Sequence, residues 1–346
     1  MLVITNLQFL SAFVASASIC GAITPLMKRL ALKRGIVDSP NQAHKTHRDS
    51  VPYLGGLAII VAVFVTGFLG VVIDTDYQSN LSLALSVFLP ALFLGIIGLI
   101  DDIYQLSPAS RFTAQTISGI FTASLLISTS TVGSPTGFTI LDFAITIFWI
   151  VGITNSINFF DNHDGGASGA VAISSLGLFI VAAASGQYLI ASLAIVLSGS
   201  CFGFLFWNRN PARIYMGDAG ALFLGTMVAS LLVRLEPNPI NRLASFSVPI
   251  LILALPILDT SVAVLSRLKR RISPFQGGRD HLSHRLMRLG FSRKRTAIAL
   301  WALTGYFVIL AIVVSNVQYS FEGVITAIGL LSWMALFVFF FRLEDE

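Results

Sequence analysis

The feature that most limits how this chain can fold is a series of apolar runs, each long enough to cross a lipid bilayer. A spanning helix needs about 20 mostly apolar residues. Eleven such runs lie at residues 6–27, 54–73, 81–100, 113–130, 139–157, 167–185, 187–207, 219–233, 246–265, 297–315 and 323–341. Because backbone polar groups in lipid must be satisfied internally, the sequence predicts an all-α, polytopic integral membrane protein with about 11 transmembrane helices.

Composition agrees with this fold class. The 346 residues are 55% hydrophobic and 11% charged, whereas a soluble domain carries about a quarter charged residues. The loops between the runs are too short to hold a soluble domain, so residues 1–346 are expected to form a single integral-membrane domain. Cys20 and Cys201 both lie in apolar runs, which indicates small buried residues and not a disulfide or a metal site.

Lys and Arg are concentrated in a few loops, and this asymmetry predicts the orientation in the membrane. Residues 28–48 carry six of them and residues 267–295 carry ten, whereas 74–80, 131–138 and 316–322 carry none. Since cytoplasmic loops are enriched in Lys and Arg, the N-terminus is expected outside and the C-terminus inside the cell. The expected location is the cell (inner or plasma) membrane, with the basic loops in the cytoplasm.

The same side of the membrane collects the unusual polar residues. Asp101 and Asp102 close the run 81–100, where two adjacent acids near lipid need a cation, a proton-transfer role or access to water. Asp218 precedes the run 219–233 between two glycines, where helix capping is the alternative to a ligand site. The other polar residues on this side include Asn155, Asn158, Asp161, Asn162, Asp164, Asn208, Asn210, Asp259, His44, His47, His163, His281 and His284. This segregation predicts one cytoplasm-facing site built from the ends of several helices.

Carboxylates and arginines in one cleft are typical of a site that binds phosphate through a metal ion. Mg²⁺ binds through one or two carboxylates together with phosphate oxygens, and arginines hold the remaining oxygens. No Cys or His pair has the spacing of a zinc site. The polar segment 158–166 ends in two glycines and is either a nucleotide-binding loop or a turn whose side chains satisfy their own backbone.

A membrane transporter is the alternative from another functional class. Transporters carry ionisable residues near the bilayer midplane in broken helices and often contain inverted repeats. In this sequence the polar residues lie at the ends of the apolar runs, and no internal repeat is evident. These two observations favour an enzyme, with a lipid bilayer and small molecules as partners and no nucleic acid.

Five segments resemble glycosyltransferase family 4, the polyprenyl-phosphate N-acetylhexosamine-1-phosphate transferases. They are Asp38–Gly56, Asp101–Gln115, Asn158–Gly165, Asn208–Asp218 and Arg279–Leu286, in family order and spread over most of the chain. The resemblance implies transfer of a sugar 1-phosphate, in the first place GlcNAc 1-phosphate, from a UDP-sugar to undecaprenyl (polyprenyl) phosphate. It further implies release of UMP at cytoplasmic catalytic loops, a need for Mg²⁺ or Mn²⁺, and a first membrane step of cell-wall or surface polysaccharide synthesis.

The resemblance also implies roles for individual residues. The catalytic residues would be Asp101, Asp102, Asp218, His281 and His284, with Asp101 matching the acid proposed to deprotonate the lipid phosphate. The metal ligand would be Asp218, with Asp101 and Asp102 as further candidates. The substrate-binding residues would be Lys45, His47, Asn158, Asp161, Asp164, Asn208, Tyr215 and Arg279, and Tyr215 matches the aromatic residue that stacks on uracil. A homodimer is an open alternative to a monomer.

The sequence departs from the family pattern at several positions. Asn162 and His163 replace the usual glycine–apolar pair, and Gly166 replaces the usual leucine. Tyr215 stands where phenylalanine is commoner, which preserves stacking. Residues 279–284 read Arg-Asp-His-Leu-Ser-His, where the GlcNAc branch more often has Asp-Arg-x-His-Leu-His-His. Because the three consecutive histidines of the peptidoglycan branch are missing, the resemblance favours GlcNAc 1-phosphate, and a phospho-MurNAc-pentapeptide transferase is the alternative.

Overall fold

The computed structural model describes residues 6–38, 51–73, 77–133, 136–237, 242–274, 278–317 and 319–343. The described chain is almost entirely helical, as the sequence predicts. Its helices are α1 (Asn6–Arg34), α2 (Gly55–Ile73), α3 (Tyr77–Tyr104), α4 (Pro108–Ser128), α5 (Thr139–Phe160), α6 (Gly166–Ala184), α7 (Tyr188–Asn208), α8 (Gly217–Val233), α9 (Arg242–Ile252), α10 (Ala254–Lys269), α11 (Leu282–Arg288), α12 (Arg293–Asn316) and α13 (Tyr319–Arg342). Two short antiparallel strands, β1 (Val37–Asp38) and β2 (Val51–Pro52), connect α1 to α2.

The helices are those of a multi-pass membrane protein. Seven helices in the described ranges are long and apolar enough to cross a membrane: α1, α3, α5, α6, α7, α12 and α13. The pair α9 and α10 adds an eighth if it counts as one span, and α2 and α8 contain shorter apolar stretches. Every one of the eleven predicted runs therefore coincides with helix, but only some meet these criteria, so the count of eleven and the outside location of the N-terminus stay predictions.

The run 246–265 is the place where the helices differ from the predicted spans. It was expected as one span, but α9 and α10 are bent by 75° at Leu253. Pro249 lies inside α9 and Pro256 in the first turn of α10, and proline removes a helix hydrogen bond and clashes with the preceding turn. Beyond the bend, α10 packs against α5 and α13 and also contacts α11, a short helix in the basic loop that the apolar pattern does not indicate.

Helix α8 is the centre of the bundle, and nearly all of its residues are buried. It packs against α2, α3 and α5. Gly98 in α3 permits a close contact with the start of α8, because a Cβ atom there would lie 2.3 Å from the carbonyl oxygen of Asp218. The C-terminal end of α3 and the N-terminal end of α8 therefore meet, and this brings the candidate site residues together.

Candidate active site

Asp102 connects α3 to the start of α8. Its carboxylate accepts hydrogen bonds from the backbone N–H groups of Asp218 at 2.8 Å and Ala219 at 3.1 Å. The first N–H groups of a helix lack partners inside the helix, and an acid near that end also interacts favourably with the helix dipole. Gly217 has φ +69°, and a Cβ atom there would lie 2.5 Å from a carboxylate oxygen of Asp102. The side chain of Asp102 thus caps the N-terminus of α8. Asp218 contributes only its backbone N–H to this cap, and its carboxylate has other hydrogen-bond partners.

Arg111 in α4 bridges the other two acids. Its Nη1 donates to Asp101 at 3.0 Å and to Asp218 at 3.2 Å. Asp218 also accepts a hydrogen bond of 2.6 Å from the side-chain amide of Asn158 in α5. Asp101 is buried and accepts a second bond, 2.6 Å long, from the backbone N–H of Leu106. Four helices, α3, α4, α5 and α8, thereby join in one polar cluster.

The donor set of this cluster suits a hard cation that takes most of its oxygen ligands from a substrate. Among the described residues, no group of three or more His, Cys, Asp or Glu side chains is arranged to hold a metal ion. Mg²⁺ is commonly bound through only one or two carboxylates together with substrate phosphates. The carboxylate of Asp218 is 29% exposed, the most accessible of those that Arg111 contacts. The assignment of Mg²⁺ to Asp218 stays a prediction.

The predicted nucleotide segment, residues 158–166, comprises the end of α5, the loop that follows and the start of α6. Asp161 ends α5, and burial, together with the nearby charges of Asp102 and Asp164, raises the pKa of its carboxyl to about 7. Asp164 accepts hydrogen bonds from the Asn210 side chain at 2.7 Å and the Ala212 N–H at 3.2 Å. The nucleotide segment is thus tied to the loop between α7 and α8.

Asn208 holds the same two loops together from inside. It is buried, and its carbonyl oxygen accepts from the Gly165 N–H at 3.1 Å and the Ser168 hydroxyl at 2.8 Å. Its amide donates to the carbonyl of Ile214 at 3.1 Å. Both polar ends therefore have protein partners, so its predicted substrate contact stays a prediction beside a clear structural role.

Tyr215 lies at the edge of the cluster with a second aromatic residue. Its backbone N–H donates to Pro52 at 2.9 Å, and its carbonyl accepts from Gly55 at 3.0 Å. The rings of Tyr53 and Tyr215 lie 6.4 Å apart between centroids. The α7–α8 loop is thereby attached to the segment that follows β2. The predicted substrate residues Lys45 and His47 lie outside the described residues.

A second polar cluster surrounds His281. Its Nδ1 lies 2.7 Å from the buried carboxylate of Asp259 in α10, which also accepts from the Leu282 N–H at 2.7 Å. Its Nε2 lies 3.2 Å from Nη2 of Arg267. Because a guanidinium group only donates, Nε2 accepts and Nδ1 carries the proton that is donated to Asp259. Both ring nitrogens of His281 therefore have protein partners that fix the orientation of its ring.

Asp280 and His284 complete this cluster. Burial alone would raise the pKa of the Asp280 carboxyl, but hydrogen bonds from Arg267 and Arg270 outweigh it and lower the pKa below its usual range. Burial, followed by the neighbouring His281, lowers the pKa of His284 to about 4, so this imidazole is neutral at pH 7. Arg279, the residue before Asp280, is exposed.

The nucleotide segment contacts both clusters. Phe159 packs edge-on against His281 with ring centroids 6.1 Å apart, and the Arg267 guanidinium lies 5.6 Å from the Phe159 ring. Asn162 accepts a hydrogen bond from Ser283. The acids of α3 and α8, the polar end of α5 and the histidines of the basic loop are thus connected by side-chain contacts, and their joint function as one substrate site stays a prediction.

Comparisons with known proteins decide the family. The profile of glycosyl transferase family 4 matches residues 84–236. A Bacillus subtilis (strain 168) protein described as "Probable undecaprenyl-phosphate N-acetylglucosaminyl 1-phosphate transferase" is 33% identical over 341 residues, which is 96% of this chain and 89% of that protein. The chain belongs to glycosyl transferase family 4.

Further relatives carry related names. The Mycobacterium leprae "Decaprenyl-phosphate N-acetylglucosaminephosphotransferase" is 28% identical over 313 residues, covering 82% of this chain and 77% of its own length. The Streptococcus uberis "Phospho-N-acetylmuramoyl-pentapeptide-transferase" is 28% identical over 203 residues, covering 55% of this chain and 61% of its own length. The resemblance stated from five sequence segments is confirmed.

This family 4 protein also uses residues that the sequence analysis did not assign to the site. Arg111 was not assigned to the site from sequence, although it bridges two of the predicted catalytic acids. Asp259 was noted inside an apolar run without a role, yet it orients His281. A lone acid in such a run was a usable signal, because unpaired charge in a membrane segment is costly. Arg267 carried no comparable signal, since its contact with Phe159 depends on how α10 packs against α5.

Proposed function

We propose that this chain transfers GlcNAc 1-phosphate from UDP-GlcNAc to a polyprenyl phosphate and releases UMP. The observation that carries the proposal is the Asp218 cluster, in which one accessible carboxylate, one guanidinium and one amide meet beside the nucleotide segment. The names of the relatives, which specify N-acetylglucosaminyl 1-phosphate transfer to undecaprenyl or decaprenyl phosphate, support the same reaction.

The reaction joins an oxygen of the lipid phosphate to the β-phosphorus of the UDP-sugar. The bond from that phosphorus to the bridging oxygen breaks, and UMP leaves with the electron pair. A Mg²⁺ or Mn²⁺ ion, when bound at Asp218, would neutralise phosphate charge and stabilise the departing UMP. Arg111, next to Asp218, would donate hydrogen bonds to further phosphate oxygens.

Asp101 suits an orienting role better than that of a general base. Both of its carboxylate oxygens already accept hydrogen bonds, from Leu106 and from Arg111, and its side chain is 5% exposed. A phosphate monoester has its second pKa near 6, so the acceptor is mostly ionised at pH 7 without help. In the proposed mechanism Asp101 therefore holds Arg111 in place for the acceptor phosphate.

Three loops, those after α5, between α7 and α8, and between α10 and α12, would supply the remaining contacts. Asp161, Asp164 and Tyr215 would bind the uridine, and His284 with Arg279 would bind the sugar or the diphosphate. The catalytic loops are proposed to face the cytoplasm, where UDP-sugars are made, with the N-terminus outside and about 11 spans. A homodimer remains an alternative to a monomer.

A panel of UDP-sugars tests the proposal. Purified protein in detergent is mixed with undecaprenyl phosphate, Mg²⁺ and UDP-GlcNAc, UDP-GalNAc, UDP-glucose or UDP-MurNAc-pentapeptide, and UMP is measured. We expect UMP release that requires the lipid and is fastest with UDP-GlcNAc. Preference for UDP-MurNAc-pentapeptide would instead support the peptidoglycan reaction that the Streptococcus uberis relative is named for. Release of UDP, or UMP formation without lipid, would contradict both.

A further inference from the structure

Two positions at which the sequence departs from the family pattern contact each other. The hydroxyl of Ser283 donates to Oδ1 of Asn162 at 2.5 Å, although the two residues are 121 positions apart. Family members more often carry glycine and histidine at these places. A glycine at 162 would have no side chain to accept this bond, and Ser283 is only 2% exposed, which leaves little room for a histidine ring. The two departures therefore fit each other.

This contact lies where the nucleotide segment meets the basic loop. Asn162 also donates from Nδ2 to the carbonyl of Phe159 at 2.7 Å, so its side chain is held at both ends. The Phe159 ring packs against His281. On the other side of the contact, Ser283 is the residue directly before His284.

We infer that the Asn162–Ser283 hydrogen bond sets the spacing between the nucleotide segment and His284, and so determines which UDP-sugar this site accepts. The inference rests on the proposed function. With the uridine at Asp161, Asp164 and Tyr215 and the reacting phosphate at Asp218, the sugar would lie between the nucleotide segment and the basic loop. Asn162 and Ser283 are positioning residues here, since the buried Ser283 reaches the sugar only through its neighbours.

His163, a further departure from the family pattern, attaches the nucleotide segment to α12. His163 lies 2.8 Å through Nε2 from the carbonyl of Arg293, the first residue of α12. A carbonyl only accepts, so Nε2 carries the proton, and burial lowers the pKa of this imidazole and favours its neutral form. Asn162 and His163 thus fasten the nucleotide segment to two neighbouring elements, whereas a glycine–apolar pair would offer neither bond.

The experiment compares Asn162→Ala, Ser283→Ala and the double variant with wild type. For each, kcat/KM is measured with UDP-GlcNAc and UDP-GalNAc, together with the Ki of UMP as competitor. We expect each single variant to lose about 3- to 10-fold in kcat/KM for UDP-GlcNAc, the range of one hydrogen bond. UDP-GalNAc should be affected less, so the preference falls, while the Ki of UMP changes less than about twofold because the uridine contacts remain.

The double variant and a control separate positioning from general destabilisation. Because both single variants remove the same bond, the double variant should have about the same kcat/KM for UDP-GlcNAc as the less active single variant. The control is Ser247→Ala, which removes a buried contact of 3.2 Å to Thr326 between α9 and α13. It should lower thermal stability and leave the sugar preference unchanged.

Each outcome decides the inference. An unchanged sugar preference in both single variants, multiplicative losses in the double variant, or loss of UMP binding in Ser283→Ala would overturn the sugar-specific role. These results leave the proposed function standing as long as wild type releases UMP. If wild type releases no UMP from any UDP-sugar, the proposed function fails and this inference fails with it.

Discussion

Removing Arg111 should weaken catalysis strongly, because its single Nη1 group separates two carboxylates. That nitrogen lies 3.0 Å from Asp101 and 3.2 Å from Asp218, while the Arg111 side chain is 31% exposed. Exposed ion pairs contribute about 0–1 kcal/mol, and breaking a buried pair costs about 3–5 kcal/mol. For this half-buried bridge we take about 2 kcal/mol, which corresponds to roughly 30-fold in rate.

The assay is UMP release with UDP-GlcNAc and undecaprenyl phosphate in Arg111→Met and Arg111→Lys. Arg111→Met should lose about 30-fold in kcat/KM, since the carboxylates then repel each other and no cation holds the phosphate. Arg111→Lys keeps the charge but not the planar donor group, so its loss should be intermediate.

The matched control is Arg295→Gln, an exposed arginine in the first turn of α12. It should change kcat/KM less than about twofold, because it removes the same charge away from the acids. Activity of Arg111→Met within about threefold of wild type would refute the view that this bridge organises the site.

Three further predictions concern the nucleotide, the pH dependence and the topology. Tyr215→Ala should raise the KM for UDP-GlcNAc, since base stacking contributes about 1–3 kcal/mol, and Tyr215→Phe should be mild; an unchanged KM in Tyr215→Ala would remove this ring from the uracil site. Burial raises the pKa of Asp161 to about 7, above the value near 3.8 expected for an unfolded chain. Below about pH 4 this carboxyl is protonated in both the folded and the unfolded chain. As the pH rises toward 7 the unfolded chain loses the proton first, so the free energy of unfolding of wild type should fall, and that of Asp161→Asn should lack this fall. Parallel curves of melting temperature against pH for the two proteins would contradict the raised pKa. Single cysteines introduced at Gln42 or Gln276 should be labelled by an impermeant reagent only after permeabilisation, and labelling in intact cells would contradict the proposed orientation.

Much of the fold follows from hydrophobicity alone. Each apolar run became helix because lipid leaves the backbone no other partner, and this holds whatever the neighbouring helices do. The bend at Leu253 was not predicted because the number of apolar residues in a run says nothing about the direction of the helix axis. Pro249 and Pro256 lie on either side of the bend and were the available signal. The short helix α11 was missed because it is polar and lies in a basic loop.

The acidic residues of the candidate site could be predicted from sequence, because charge near lipid is costly. The contacts that depend on how the helices pack could not. Asp101, Asp102 and Asp218 stood out because acids at the ends of apolar runs need a purpose. Their different tasks did not, since the capping of α8 by Asp102 depends on the close contact of two helices. The substrate contact expected for Asn208 stays a prediction, and its hydrogen bonds to Gly165 and Ile214 could not be read from sequence spacing.

The most direct test of the account follows the β-phosphorus itself. Wild type and Asp218→Asn are incubated with UDP-GlcNAc labelled with ³²P at the β-phosphate, undecaprenyl phosphate and Mg²⁺, and the label is traced to lipid or water. The account predicts that wild type moves the label into the lipid and releases unlabelled UMP, and that Asp218→Asn does neither at any Mg²⁺ concentration. Label that stays with the nucleotide as UDP, or wild-type turnover by Asp218→Asn, would contradict it.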